Sequence, residues 1–433
     1  MIGNNIHGGS SFRKIKESIY FISRHNTFLF RRIKVLQGLD LLSDKEIAFL
    51  KEKKIKEIVY HASKYSTFYR QLYSSIPLNE PFMETFSKLP ILYKADVRKN
   101  SKQIATVPLH LLKAAKTSGT SGTPLTIYRS PGSILRENAY TWFYRISHGL
   151  NIGDPVISLR GTLDRNTLHY FNKAENVLYL SSYALSRASI STYVKLINEF
   201  APKAIYAYPS AVFNMVNLLN DSGLQVQIPK IFTSSETLYD FQREKIERGF
   251  QGKIHDLYGN AERTIALGQC AHGNYHELPL YSMYEFVDNG LITTSLNNKS
   301  FPLIRYYVDD LFQREAGRCA CGKTYQVKKI DGRPDDVIKC EDGTQVAGAG
   351  LSLSFRGIKG LTYAQIVQRD LKNIQVNLVT EANFTQDDQK ILIQQLRNRL
   401  SDSLKMEINL IPENEIIKTA SGKFKLVVSS LNN

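Results

Sequence analysis

From about residue 115 to residue 310 short β-rich runs alternate with helical patterns, and this alternation restricts the chain to an α/β architecture. "PVISLRG" (155–161) and "AIYAYPS" (204–210) read as buried strands, and "SISTYVKLINEF" (189–200) and "LYDFQREKIERGF" (238–250) read as helices. "PKIFTSSE" (229–236) and "KIHDLYGNAE" (253–262) read as strands that run into polar turns. Ligands of α/β sheets sit beyond the C-terminal ends of the strands, so two such turns on neighbouring strands imply one shared site.

The rest of the chain divides around this region. Residues 43–80 carry apolar positions at helical spacing, and 280–316 are β-rich. A charged turn, "IDGRPDDVIK" (330–339), follows. Beyond it 362–380 and 404–411 read as strands and 385–403 as a helix, a small α+β unit of about 95 residues, large enough to be a domain. The expected division is a large unit, 1–334, with a helical N-terminal part over 12–80, and a small mobile unit, 335–433.

The formal net charge is +16. Part of the excess lies in 12–34, where seven basic residues accompany one acid, Glu17. Ile15, Ile19 and Ile22 recur there at helical spacing. The favoured reading is a surface helix packed on the main unit, and the alternative is an amphipathic helix on an anionic membrane. Nucleic acid is not an expected partner, because no helix-turn-helix, RNP or zinc-finger pattern accompanies the charge. No apolar run reaches 18 residues and the N-terminus lacks a signal-peptide pattern, so the expected location is the cytoplasm, with peripheral contact at the inner membrane face as the alternative.

"TSGTSGTP" (117–124) offers backbone N–H groups and hydroxyls that can wrap an anion, with glycines for the close approach. It lacks the lysine of a Walker A loop. Alone it could equally be a surface turn. With its companions it resembles the phosphate-binding signature of the adenylate-forming superfamily, which includes acyl-CoA synthetases, adenylation domains and luciferases. "SSETLYDFQREKIERGFQGKIHDLYGNAE" (234–262) resembles that superfamily's adenine-binding turn followed by its Y-G-x-x-E motif. "PLIRYYVDDL" (302–311) resembles its ribose-binding stretch, "IDGRPDDVIK" its hinge and "KTASGKFKLV" (418–427) its catalytic-lysine motif. The motifs keep the family order over about 115–425. The branch they resemble is the phenylacetate–CoA ligase group, especially members in capsule and O-antigen clusters.

The resemblance implies roles residue by residue. Thr117, Ser118, Gly119, Thr120, Ser121 and Gly122 would cradle ATP phosphates. Lys423 would bridge the carboxylate substrate and the α-phosphate, and Glu262 would hold Mg²⁺. Ser235, Glu236, Asp256 and Gly259 would line the adenine, and Tyr258 would stack near it or wall the acyl pocket. Asp310 would accept from both ribose hydroxyls, although Asp309 precedes it where relatives carry glycine. Arg333 would reach ribose or phosphate, and Asp335 would be the hinge of a rotating C-terminal lid. Leu125 follows Pro124 where many relatives have lysine. The implied reaction is ATP-dependent activation of a small carboxylic acid through an acyl-adenylate, then transfer to coenzyme A. One alternative acceptor is an amine, giving an amide in surface-polysaccharide synthesis. A second alternative is a silent binding protein of the same fold.

Four cysteines occur, and a cytosolic chain does not use them as disulfides. Cys270, Cys319 and Cys321, with His276 or His272, make a Cys₃His donor set suited to structural zinc. Some relatives carry similar cysteines before the hinge. Cys340, in an expected strand, is left out of this set.

Overall fold

The computed structural model describes residues 11–431, apart from 79–80, 117–124, 161–162, 164–166, 288–289, 315–316, 325–326, 333–336, 342–344, 349–350, 352, 356–357, 401–403 and 419–423. The expected helix over 12–34 is two helices, α1 (Ser11–Arg24) and α2 (Thr27–Leu39). The break has a local cause. The Asn26 side chain accepts from Leu29 N–H at 3.2 Å and caps a new helix start. Helix α2 buries Leu29, Ile33 and Leu36, one helical stripe. Helix α1 is turned the other way round. Ile15, Ile19 and Ile22 are 57%, 62% and 65% exposed, while Glu17 accepts a hydrogen bond from the Tyr170 hydroxyl.

Helices α3 (Asp44–Tyr65), α4 (Thr67–Leu72), α5 (Phe82–Ser87) and α6 (Lys94–Ile104) follow. Ser43 and Glu46 close a capping box at the start of α3. Strands β1 (Lys113–Lys116) and β2 (Thr126–Arg129) pair antiparallel and flank residues 117–124, and α7 (Pro131–Ser147) comes next.

The α/β core then appears as expected. Its elements are β3 (Val156–Arg160), β4 (His169–Asn172), β5 (Val177–Ser181), α8 (Ile190–Phe200), β6 (Ala204–Ala207), α9 (Pro209–Asp221), β7 (Lys230–Ser234), α10 (Asp240–Phe250), β8 (Lys253–Gly259), β9 (Ala266–Gln269) and β10 (Tyr275–Glu277). They build an eight-stranded sheet in the order β10-β9-β8-β7-β6-β3-β5-β4. Strands β8, β7, β6, β3 and β5 run parallel. Side-chain alternation divides the sheet's two faces. In β6, Ile205 and Ala207 pack with α8, α9 and α10, whereas Ala204 and Tyr206 pack with α2 and α7. Helices α9 and α10 touch so closely at Gly249 that a Cβ there would lie 2.4 Å from Val216 Cγ1.

Strands β11 (Ser282–Val287), β12 (Gly290–Ser295) and β13 (Tyr306–Val308) form a second sheet, packed with α3 to α6. Strand β14 (Leu311–Gln313) pairs with β15 (Lys329–Gly332), and β16 (Val337–Lys339) with β17 (Gln345–Ala347). The C-terminal part holds β18 (Leu361–Gln368), β19 (Asn373–Thr380), α11 (Gln386–Arg397), β20 (Lys405–Leu410) and β21 (Val427–Ser429). Its four strands run in the order β20-β19-β18-β21 around an apolar cluster that includes Ile366, Val376, Leu392 and Leu396. The helix read over 385–403 ends at Arg397, with Asn398 as its C-cap. Two residues of this part, Tyr363 and Ile416, lie in the apolar cluster of α9 and α10, with the Tyr363 ring 5.7 Å from that of Phe213. Among the described residues no helix is long and apolar enough to cross a membrane.

Candidate active site

The parallel strands end on one edge of the sheet, and their turns carry the polar residues that the sequence singles out. Strand β7 ends at Ser234. Ser235 follows with φ +73°, a left-handed conformation that costs a non-glycine residue energy and marks a constrained turn. Glu236 Oε2 accepts from the Ser210 N–H at 3.0 Å. Ser210 lies in the first turn of α9, after Pro209, so a carboxylate there also meets the positive end of a helix dipole.

Strand β8 ends at Gly259, and the turn after it aims Glu262. Asn260 fixes this turn by accepting from Thr264 N–H at 2.9 Å and donating to Thr264 Oγ1 at 2.8 Å. Arg129, at the end of β2, donates to the Ala261 carbonyl at 2.5 Å. Arg263 holds φ +57° immediately after Glu262. Glu262 is half-buried and accepts from the Tyr306 hydroxyl at 3.0 Å. It faces a hollow that Arg129, Glu137 and Arg263 also line. Arg263 Nε stands 3.8 Å from Glu137 Oε2. Burial, and then the charge of Arg263, push Arg129 down to about 10. A half-exposed carboxylate that shares its hollow with two guanidiniums and a second carboxylate combines the charges suited to a hard cation and a polyphosphate.

Tyr258 turns inward and donates to Asp310 Oδ2. Asp310 is buried and Asp309 is exposed, so only the second of the two acids faces this turn. Asp256 is placed differently from an adenine-lining group. Its carboxylate is buried in the sheet, accepting from Thr233 Oγ1 at 2.5 Å and Tyr275 Oη at 2.7 Å, and burial pushes its pKa up. Thr117, Ser118, Gly119, Thr120, Ser121, Gly122, Arg333, Asp335 and Lys423 lie outside the described residues.

A second constellation forms between the β9–β10 hairpin and the segment before β15. Ligand atoms of Cys270, His276, Cys319 and Cys321 all lie within 4.8 Å of one another. Cys270 Sγ and Cys319 Sγ are 3.7 Å apart, and Cys321 Sγ is 3.3 Å from His276 Nε2. Zn–S bonds of about 2.3 Å at a tetrahedral angle separate two sulfurs by about 3.75 Å, so the donors fit zinc. A disulfide would need about 2.05 Å. His276 Nδ1 lies 3.1 Å from the Thr324 carbonyl, an acceptor that directs Nε2 toward the thiols. The structure thus brings His276 into the cluster, while His272 is exposed outside it. Cys340 is buried elsewhere, in the C-terminal cluster.

Arg129, Glu137 and Arg263 escaped the sequence reading. Each belongs to a different element, and only the fold brings them to Glu262. A charged residue ending an otherwise apolar strand, as Arg129 does in "TIYR", was the one signal available.

A central parallel sheet with constrained turns at its C-terminal edge and a C-terminal β-sheet unit give the fold of the adenylate-forming CoA ligases. The match to 2-hydroxyisobutyryl-CoA ligase in the postadenylation state, in complex with R3-HIB-AMP, has a TM-score of 0.71 at 16% identity and covers 88% of this chain and 89% of that one. Homologues agree with this placement. Protein CapK of Staphylococcus aureus is 24% identical over 450 residues, covering 96% of each chain. Phenylacetate-coenzyme A ligase of Thermus thermophilus is 22% identical over 442 residues, covering 90% of this chain and 98% of that one. Residues 338–430 match the family described as the CapK C-terminal domain. The resemblance drawn from the motifs is thereby borne out.

Proposed function

We propose that the protein activates a small carboxylic acid with ATP and passes the acyl group to coenzyme A. The observation that carries this reading is the convergence of Glu262, Tyr258 and Asp310 beside the Ser235–Glu236 turn, on the edge of the sheet where ligands of such folds bind. In the first step a carboxylate oxygen attacks the α-phosphorus of ATP. The bond to the bridging oxygen breaks, and pyrophosphate leaves with the electron pair. In the second step the thiol sulfur attacks the acyl carbon, AMP departs and the thiol proton passes to solvent.

In this reading Glu262 would hold Mg²⁺, which would supply positive charge beside the phosphates. Asp310 accepts from the ribose hydroxyls, with Tyr258 fixing its orientation. Ser235, Glu236 and Gly259 shape the adenine slot, whereas Asp256 braces it from inside the sheet. Residues 117–122 and Arg333 serve the phosphates, Lys423 serves the carboxylate and Asp335 the hinge. Cys270, His276, Cys319 and Cys321 would hold a structural zinc that ties the β9–β10 hairpin to the segment before β15. Helix α1, with its isoleucines outward and basic neighbours in sequence, would rest on an anionic membrane surface.

The test is ATP- and Mg²⁺-dependent pyrophosphate release over a panel of acids, with and without coenzyme A, and with Lys423→Ala as control. Release that requires Lys423 and continues to turn over only with coenzyme A supports the reading. Silence across the panel would leave either an acid outside the panel or the silent binding protein, and ATP binding by itself does not separate the two.

A further inference from the structure

Strand β3 reads "VISLR". Four buried residues end in a guanidinium, at the same sheet edge as the turns after β7 and β8. Arg160 Nη2 donates to Ser234 Oγ at 3.2 Å. Ser234 Oγ in turn lies 3.4 Å from Ser235 Oγ, in the turn that holds Glu236. Arg160 Nε is shut off from solvent and has no hydrogen-bond partner, and among the described residues no carboxylate pairs with this guanidinium.

Its immediate neighbours are tyrosines, and the Glu236 carboxylate acts on Tyr208 without pairing with the guanidinium. The Tyr208 ring lies 5.9 Å from the guanidinium carbon, and the buried Tyr206 hydroxyl also lacks a partner. Behind Tyr206 a second guanidinium, that of Arg145, sits 3.7 Å from the ring centroid. Burial first, and then the charge of Arg145, push Arg160 down to about 10. A buried cation without an anion is unfavourable, and folded proteins supply a partner or keep the place for a ligand. Arg160 has five N–H donors, of which Ser234 uses one, so a planar fork remains for a two-oxygen acceptor.

We infer that Arg160 anchors a second anionic group on the acid that this protein activates, so that the substrate class is a dicarboxylate or a carboxylic acid bearing a phosphate. The inference rests on the proposed adenylation at this edge of the sheet. The Ser234–Ser235 contact places Arg160 beside the adenine turn, and a small acid can therefore reach both. Tyr206 and Tyr208 add hydroxyls suited to the same oxyanion. An ordinary acyl pocket is predominantly apolar, and a guanidinium there would reject a plain aliphatic acid by leaving its own donors unpaired.

The experiment is ATP–pyrophosphate exchange with matched acids: butyrate against succinate, valerate against glutarate, and glycerate against 3-phosphoglycerate. The first two pairs report a carboxylate as the second anion, and the third reports a phosphate. The expected result is a preference for the dianionic member of at least one pair, on the order of 100-fold in kcat/KM. Arg160→Gln should collapse that preference mainly through KM, and Arg160→Lys should restore part of it. Equal or better use of the monoanion, or a preference that survives Arg160→Gln, overturns the inference.

If the wild-type protein shows no exchange with any acid, the proposed reaction itself has failed. Calorimetric titration with succinate, glutarate and 3-phosphoglycerate then decides the anion site separately. Binding that is lost in Arg160→Gln sustains the site, and no binding to the wild-type protein overturns it.

Discussion

The Tyr258 hydroxyl donates to Asp310 Oδ2 and so joins the end of β8 to the turn between β13 and β14, 52 residues further along the chain. The Phe312 ring packs edge-on against Tyr258 at 5.6 Å and holds the phenol in place. Hydrogen bonds to charged groups contribute roughly 1.5–3 kcal/mol, so Asp310→Asn should lower kcat/KM in pyrophosphate exchange by roughly 10- to 100-fold, chiefly through KM for ATP. Tyr258→Phe should act in the same direction and less strongly. An unchanged KM for ATP in Asp310→Asn would remove the ribose role.

The zinc assignment separates two histidines. Purified protein should carry one zinc by elemental analysis, and His276→Ala should lose it while His272→Ala keeps it. Cys319→Ser should also lose the metal and unfold at a lower temperature, since metal bound only by the folded chain stabilises that chain. Retention of zinc by His276→Ala would show that the fourth ligand lies elsewhere.

Acid stability should depend on His255. Its ring lies 4.3 Å from that of His148, and burial, then the His148 charge, depress its pKa to about 3. The unfolded chain takes up this proton near pH 6.5, well before the folded one. Stability is therefore fully present above about pH 6.5 and drains away as the pH falls toward 3. Urea unfolding of His255→Gln should show a shallower decline than wild type between pH 6.5 and 4. Parallel declines would assign the acid sensitivity to other groups.

Gly249 tests the contact between α9 and α10. Gly249→Ala should destabilise by about 1–3 kcal/mol, because the added methyl meets Val216 in a filled core. Val216→Ala in the same chain should recover much of the loss. Strict additivity of the two changes in denaturant titrations would mean that the helices part instead of clashing.

Helix α1 yields a binding prediction. Vesicles containing an anionic lipid should sediment the protein, and neutral vesicles should not. Ile15→Ser, Ile19→Ser and Ile22→Ser together should release it, because the outward face then loses its apolar stripe. Binding that survives the triple substitution would place the contact elsewhere.

The strands that end at the site were legible because buried parallel strands are short apolar runs, and "KIFTS" and "KIHDLYG" behave as such. The clustering of Cys270, Cys319 and Cys321 with a histidine was legible because thiols and imidazole announce themselves by residue type. The motif left Asp309 and Asp310 side by side, and the structure distinguishes them: Asp310 is buried and accepts from Tyr258, whereas Asp309 is exposed. The break at Asn26 was readable as a capping residue inside a helical pattern, yet the periodicity of isoleucines hid it. Arg160 and the Arg129–Glu137–Arg263 group were not legible. Their meaning depends on which partners they lack or share, and that is decided by elements distant in sequence. Asp256 shows the reverse case, a polar residue in the right stretch whose carboxylate is used up inside the sheet.

The packing of Tyr363 and Ile416 into the cluster of α9 and α10 sets a population. Any arrangement that swings β18 away must return both side chains to water. At about 1.5–3 kcal/mol for each buried side chain, the undocked form would hold less than about one molecule in a hundred at rest. A ligand that favours the undocked form must then make up that difference through its own contacts, so ligand occupancy, and not thermal motion alone, would time the release of the C-terminal sheet.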